Sequence, residues 1–101
     1  MIAVIFEVEP HPAGYDEYLD KAAALAQDLQ RIDGFISVER YRSLSHPDRL
    51  LSLSWWRDEA AVAAWRAHPP HAAARARGDA ALFRRWRIRV AEVLRERERA
   101  A

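Results

Sequence analysis

The stretch "LLSLSWWR" (50–57) is apolar on both of the faces that a β-strand presents. Side chains alternate along a strand, so Leu51, Leu53 and Trp55 point one way while Leu50 and Trp56 point the other. A strand of this kind has to be covered on both sides. The opening segment "IAVIFEVE" (2–9) repeats the condition: Ile2, Val4, Phe6 and Val8 share one face, and Ala3 and Ile5 lie on the other. Its β-branched content marks it as a strand, ended by Pro10 and Pro12. A chain of 101 residues has few elements with which to cover two such strands.

The remaining segments supply a simple order. "GYDEYLDKAAALAQDLQRID" (14–33) carries Tyr15, Leu19, Ala22, Ala26 and Leu29 at helical spacing, with acids early and Gly34 as a stop. "FISVERYRSL" (35–44) alternates as a second strand, and "SHPDR" (45–49) is a turn into the strand at 50–57. "DEAAVAAWRAH" (58–68) opens with Asp58 as a candidate N-cap and carries Val62, Trp65 and His68 on one stripe. Pro69 and Pro70 interrupt it, since proline lacks the N–H and clashes with the preceding turn. A short helix resumes to Gly78, "DAALFRR" connects, and "WRIRVAEVLRE" (86–96) reads as the last strand, with a bulge expected beyond Val90.

The order β-α-β-β-α-β is the ferredoxin-like pattern, an α+β domain with a four-stranded antiparallel sheet. One domain is expected over 1–96, with 97–101 a charged, frayed tail. Two helices cover only one face of four strands. The other face would expose an apolar patch, and a second copy packed sheet on sheet is the expected cover. Trp55 and Trp56, being adjacent, are expected to divide: one beneath the helices, the other in the dimer interface.

Composition narrows the functions. Half the residues are hydrophobic and 31% are charged, a globular balance. The net charge is +1 and the arginines face fifteen acids, with no RNA-type motif, so no nucleic-acid partner is expected. The absence of cysteine excludes disulfides, thiolate ligands and thiol nucleophiles. "MIAVIFEVEP" has no basic region and meets Glu7, unlike a signal peptide, and no apolar run approaches the ~18 residues of a membrane span. A soluble cytoplasmic protein without membrane contact is expected.

The chemistry, if any, centres on "AWRAHPPHAAARARG" (64–78). His68 and His71 stand at helical spacing, but the prolines between them break the helix and no third ligand joins them, so no metal site is expected. His71 is either a general acid–base near neutrality or a helix-cap or surface histidine. Trp65 packs toward the sheet, and a tryptophan there can also wall a pocket for a flat ligand.

"GFISVERYRSLSHPDRLLSLSWWRDEAAVAAWRAHPPHAAARARG" followed by "FRRWRIRVAEVLRE" resembles the antibiotic biosynthesis monooxygenase (ABM) domain family of dimeric α+β barrels. The resemblance runs from about Ile2 to Glu96. It implies a monooxygenase that works without metal, flavin or other cofactor, oxidising an aromatic or quinone-forming substrate with O2. The oxygenases it resembles use a helix-borne Asn and Trp, a following Tyr, and an Arg near the last strand. Here Trp65 takes the tryptophan position, His71 the tyrosine position and Arg85 the arginine position, while Ala61 replaces the asparagine. The resemblance therefore implies His71, Trp65 and Arg85 as catalytic residues, with Phe6, Val62, His68 and Trp86 lining the pocket. The haem-degrading branch of the family carries an asparagine on its first strand. This chain has no asparagine, and His71 follows Trp65 too soon for that branch. The alternative, favoured by Ala61, is a non-catalytic dimeric domain that binds a small hydrophobic ligand.

Overall fold

The computed structural model describes residues 1–101. The chain forms β1 (Ile2–Pro10), α1 (Tyr15–Gln30), β2 (Phe35–Arg42), β3 (Leu50–Trp56), α2 (Glu59–Ala67), α3 (Pro69–Arg77) and β4 (Phe83–Glu92). A single turn at Pro12–Gly14 precedes α1, and a π turn at Gly78–Leu82 precedes β4. The sheet runs β2-β3-β1-β4, with every neighbour antiparallel. This is the expected ferredoxin-like arrangement.

Three local expectations need correction. The helix predicted over 14–33 covers Tyr15–Gln30, because the chain turns before β2. Gly34 makes that turn at φ +90°, and the Arg57 N–H donates to its carbonyl at 2.7 Å. A Cβ at Gly34 would lie 2.7 Å from the Ala61 methyl, so the turn and α2 close on each other only through glycine. The last strand begins at Phe83 and ends at Glu92, and its register through Val90, Ala91 and Glu92 is unbroken. The irregularity in that pair falls at Glu9/Pro10, where proline has no N–H to donate to the ladder. Finally, the prolines begin a helix as well as ending one. In the first turn of α3 a missing N–H costs nothing, because that donor has no intrahelical partner.

The helices lie on the side of the sheet that carries Ile2, Val4, Phe6 and Val8. Ile2 and Trp56 pack there with Leu29 of α1 and Ala61 and Trp65 of α2. Val8 and Leu50 pack with Tyr18. Trp56 is the most enclosed large side chain, and its indole N–H donates to Ser54 Oγ at 2.9 Å. Trp55, one residue earlier, faces the opposite side, beside Ala3 in the register. Ile5, Leu51 and Leu53 share that open face with an ionic group in which Arg87 and Arg89 approach Glu7 at 3.0 and 3.6 Å.

Candidate functional site

The joint between α2 and α3 is one residue long. His68 caps both helices, in an extended conformation (φ −62°, ψ 119°) of the kind that a following proline imposes. α2 itself starts on Asp58, whose Oδ1 accepts from the Ala61 N–H at 2.9 Å. The cap sets where α2 begins, and the Pro–Pro pair sets where it must turn. Trp65 lies in the last turn before the break and His71 in the first turn after it, so the bend folds one back on the other.

The result is a stack. The His71 ring lies 4.4 Å from the Trp65 indole, centroid to centroid, at an interplanar angle of 15°. The His68 ring lies 5.3 Å from the same indole at 19°. His68 Nε2 is 3.1 Å from Asp28 Oδ2 on α1, which ties the joint to the first helix. His71 Nδ1 is 3.0 Å from the Trp65 carbonyl, and because a carbonyl can only accept, Nδ1 carries the proton. Nε2 of His71 then bears the lone pair. Burial is the largest influence on this imidazole and holds its pKa below the usual histidine range. The hydrogen bond to Trp65 works against that shift, while the nearby charges of Arg75, His68 and Arg66 add to it. His71 is therefore a neutral base with a defined tautomer, resting on an indole.

A second aromatic group lies further along the same side of the sheet. Phe6 is 6.0 Å from Phe83 and 6.2 Å from Trp86, and Phe83 meets Tyr18 edge-on at 5.4 Å. Trp86, Ile88 and Val90 are in register with Val8, Phe6 and Val4, so they face the helices. Yet they remain 47%, 44% and 49% exposed. They form an apolar shelf on the edge strand that no helix of the chain closes over. The Trp86 indole N–H donates to Asp79 at 2.6 Å, which fixes the ring at the shelf's end.

The expected residues thus divide. Trp65, His68 and His71 come together at the joint. Val62 packs beside them against the first core group. Phe6 and Trp86 come together on the shelf. Arg85 joins neither within one chain. It pairs with Glu9, one residue out of step with Trp86 and Val8, and so projects from the open face. Strand alternation placed it one residue wrong for a shared pocket. Ala61, at the position of the missing asparagine, is 3% exposed and packs against the Gly34 turn, so it offers the site no polar group. A recess of about 390 Å³ lies elsewhere, among Glu9, Tyr15, Asp16, Arg42, Asp48 and Arg84, and its lining is polar.

Comparison with known proteins agrees with this architecture. The sequence model of one family, Antibiotic biosynthesis monooxygenase, matches residues 1–77. A Pyricularia oryzae protein named Jasmonate monooxygenase ABM is 44% identical over 93 residues, which is 92% of this chain and 43% of that protein. The chain therefore spans less than half the length of that relative. Bacillus subtilis YqjZ, described as uncharacterized, is 33% identical over 97 residues, covering 94% of this chain and 81% of that one. The solved structure of Rv0793 from Mycobacterium tuberculosis superposes with a TM-score of 0.84 at 24% identity, over 96% of this chain and 98% of that one. No helix is long and apolar enough to cross a membrane.

Proposed function

The chain belongs to the antibiotic biosynthesis monooxygenase family, and on that premise we propose that it oxidises a small, easily deprotonated substrate with O2, needing neither metal nor flavin. One observation carries the reading: a neutral histidine with its Nε2 lone pair free, seated on a buried indole, in a chain whose edge strand carries an uncovered apolar shelf on the helix side of the sheet. His71 Nε2 takes a proton from the substrate's phenolic or similarly acidic group. The resulting anion is electron-rich and gives up electrons to O2. One oxygen atom enters the substrate carbon as a carbonyl and the other leaves as water, so a CH2 or an aromatic CH–COH unit supplies all the electrons. Trp65 walls the reacting end, and the Phe6–Phe83–Trp86 group takes the flat body of the substrate. The name of the Pyricularia oryzae relative supports oxygenation of a small organic molecule.

Oxygen uptake by metal-stripped protein with anthrone or a dihydroquinone tests this. Uptake is expected to fall about 100-fold or more in His71→Ala, the range for loss of a general base. Uptake unchanged in both His71→Ala and Trp65→Phe would overturn both roles.

Ala61 favours a second reading, a domain that binds a small hydrophobic ligand and does no chemistry. Binding of such a ligand without any oxygen uptake would select it. Under either reading a second copy covers the open face with its Ile5, Leu51, Leu53 and Trp55. Sedimentation of the protein as a monomer at micromolar concentration would remove that part.

A further inference from the structure

The proposed reaction needs its substrate held in place, and Arg85 stands across the sheet from His71. Arg75 does not. Arg75 follows His71 by four residues in α3, and Gly78 follows His71 by seven, so the three share one side of the helix. That side faces inward at both ends. His71 stacks on Trp65, and Gly78 lies so close to Phe83 that a Cβ there would be 2.3 Å from the ring. The rise of a helix puts these ends about 10 Å apart, with Arg75 between them.

The guanidinium of Arg75 is only partly engaged within the chain. Its Nη2 donates to the Arg66 carbonyl at 3.0 Å. Its Nε–H is shut off from solvent and has no acceptor in the chain. No carboxylate pairs with it, whereas Arg77, two residues on, holds Glu17 at 2.8 Å. Arg49, Arg57, Arg87 and Arg89 also have acid partners. A buried donor on a permanent cation marks a place for an acceptor that the chain does not supply.

We infer that Arg75 binds the carboxylate of an apolar acid whose hydrocarbon body lies toward Phe83, Phe6 and Trp86. A carboxylate fits better than a phenol, because a phenol arrives neutral and becomes an anion only after His71 has acted. The guanidinium is charged, and its Nε–H dehydrated, before anything binds. The inference rests on reading the inward side of α3 as the ligand site, and it adds the substrate class and the residue that selects it.

The test is calorimetric titration of the full chain with 2-naphthoate and with its neutral methyl ester. The wild type is expected to prefer the acid, and Arg75→Gln to bind the acid about tenfold more weakly or worse. The ester is expected to bind both proteins alike, within about twofold, since it offers no charge to pair. Arg75→Lys should fall between them, keeping the charge and losing the planar fork. Equal affinity for the acid in wild type and Arg75→Gln overturns the inference. So does an equal loss of acid and ester, which would mean that Arg75 only holds the helix in place. The oxygenase reading is separable. An Arg75-dependent preference for the acid, in a protein that consumes no oxygen with any substrate, supports the inference and overturns the oxygenase.

Discussion

The helix-facing side of the sheet has two halves, and β1 borders both. Toward β3, Ile2 sits in register with Trp56, and Phe35 meets that indole edge-on at 5.1 Å. α1 and α2 close over this half through Leu29, Ala61 and Trp65, and Trp56 is left 2% exposed. Toward β4, the same strand presents Val4, Phe6 and Val8 to Val90, Ile88 and Trp86, which stay about half exposed. Both halves are lined by apolar side chains. What differs is cover: α1 and α2 close over the first half, while Trp86, Ile88 and Val90 stay open. A core left open along one edge strand has the form of a binding surface.

Matched truncations sharpen this contrast most strongly. Trp56→Ala should cost about 3–5 kcal/mol of folding stability, the range for removing a buried aromatic ring. Trp86→Ala should cost under about 1 kcal/mol, as half-exposed positions do, while weakening ligand binding. Chemical denaturation of the two variants checks the difference, and equal losses would break the distinction between core and shelf. Gly78→Ala comes next. The new methyl would meet the Phe83 ring at 2.3 Å, and over-packing of this kind costs about 1–3 kcal/mol. It strikes the border between the halves, so it should also lower affinity for ligands of the shelf. A variant as stable as the wild type would show that Phe83 is free to move.

Periodicity in the sequence revealed most of the fold. The segments 2–9 and 50–57 read as strands because they are β-rich and apolar on both faces, 35–44 because it alternates, and the strand order followed from the order of the elements. The start of β4 was harder to read, because Phe83, Arg84 and Arg85 do not alternate cleanly across the irregularity at Glu9/Pro10. At the site, Trp65 and His71 could be paired from the Pro–Pro break and from family resemblance. Arg85 misled, because family position says nothing of strand parity at a bulge. Arg75 carried no sequence signal of its own among fifteen arginines. Only the count of acid partners, which needs coordinates, separates it from Arg77.

The smallest expected effect lies at the border itself, in the pH dependence of stability. Burial is the main reason that folded His71 resists protonation, and an unfolded histidine takes up its proton near pH 6.5. Below that pH the unfolded chain binds the proton more readily than the folded one, so acid favours unfolding. The stability that neutral His71 contributes is complete above about pH 6.5 and is lost as pH falls toward its lower folded pKa. His71→Gln removes the titration but can still donate an N–H to the Trp65 carbonyl. The stability difference between wild type and His71→Gln should be flat from pH 8 to 7 and should move against the wild type below about pH 6.5. His68, paired with Asp28, is present in both proteins and cancels from the difference. Arg75→Gln should raise the His71 pKa measured by NMR, because it removes a positive charge that disfavours the imidazolium. A stability difference that stays flat to pH 5 would mean that water reaches His71 in solution, and the dry half would then end at Trp65.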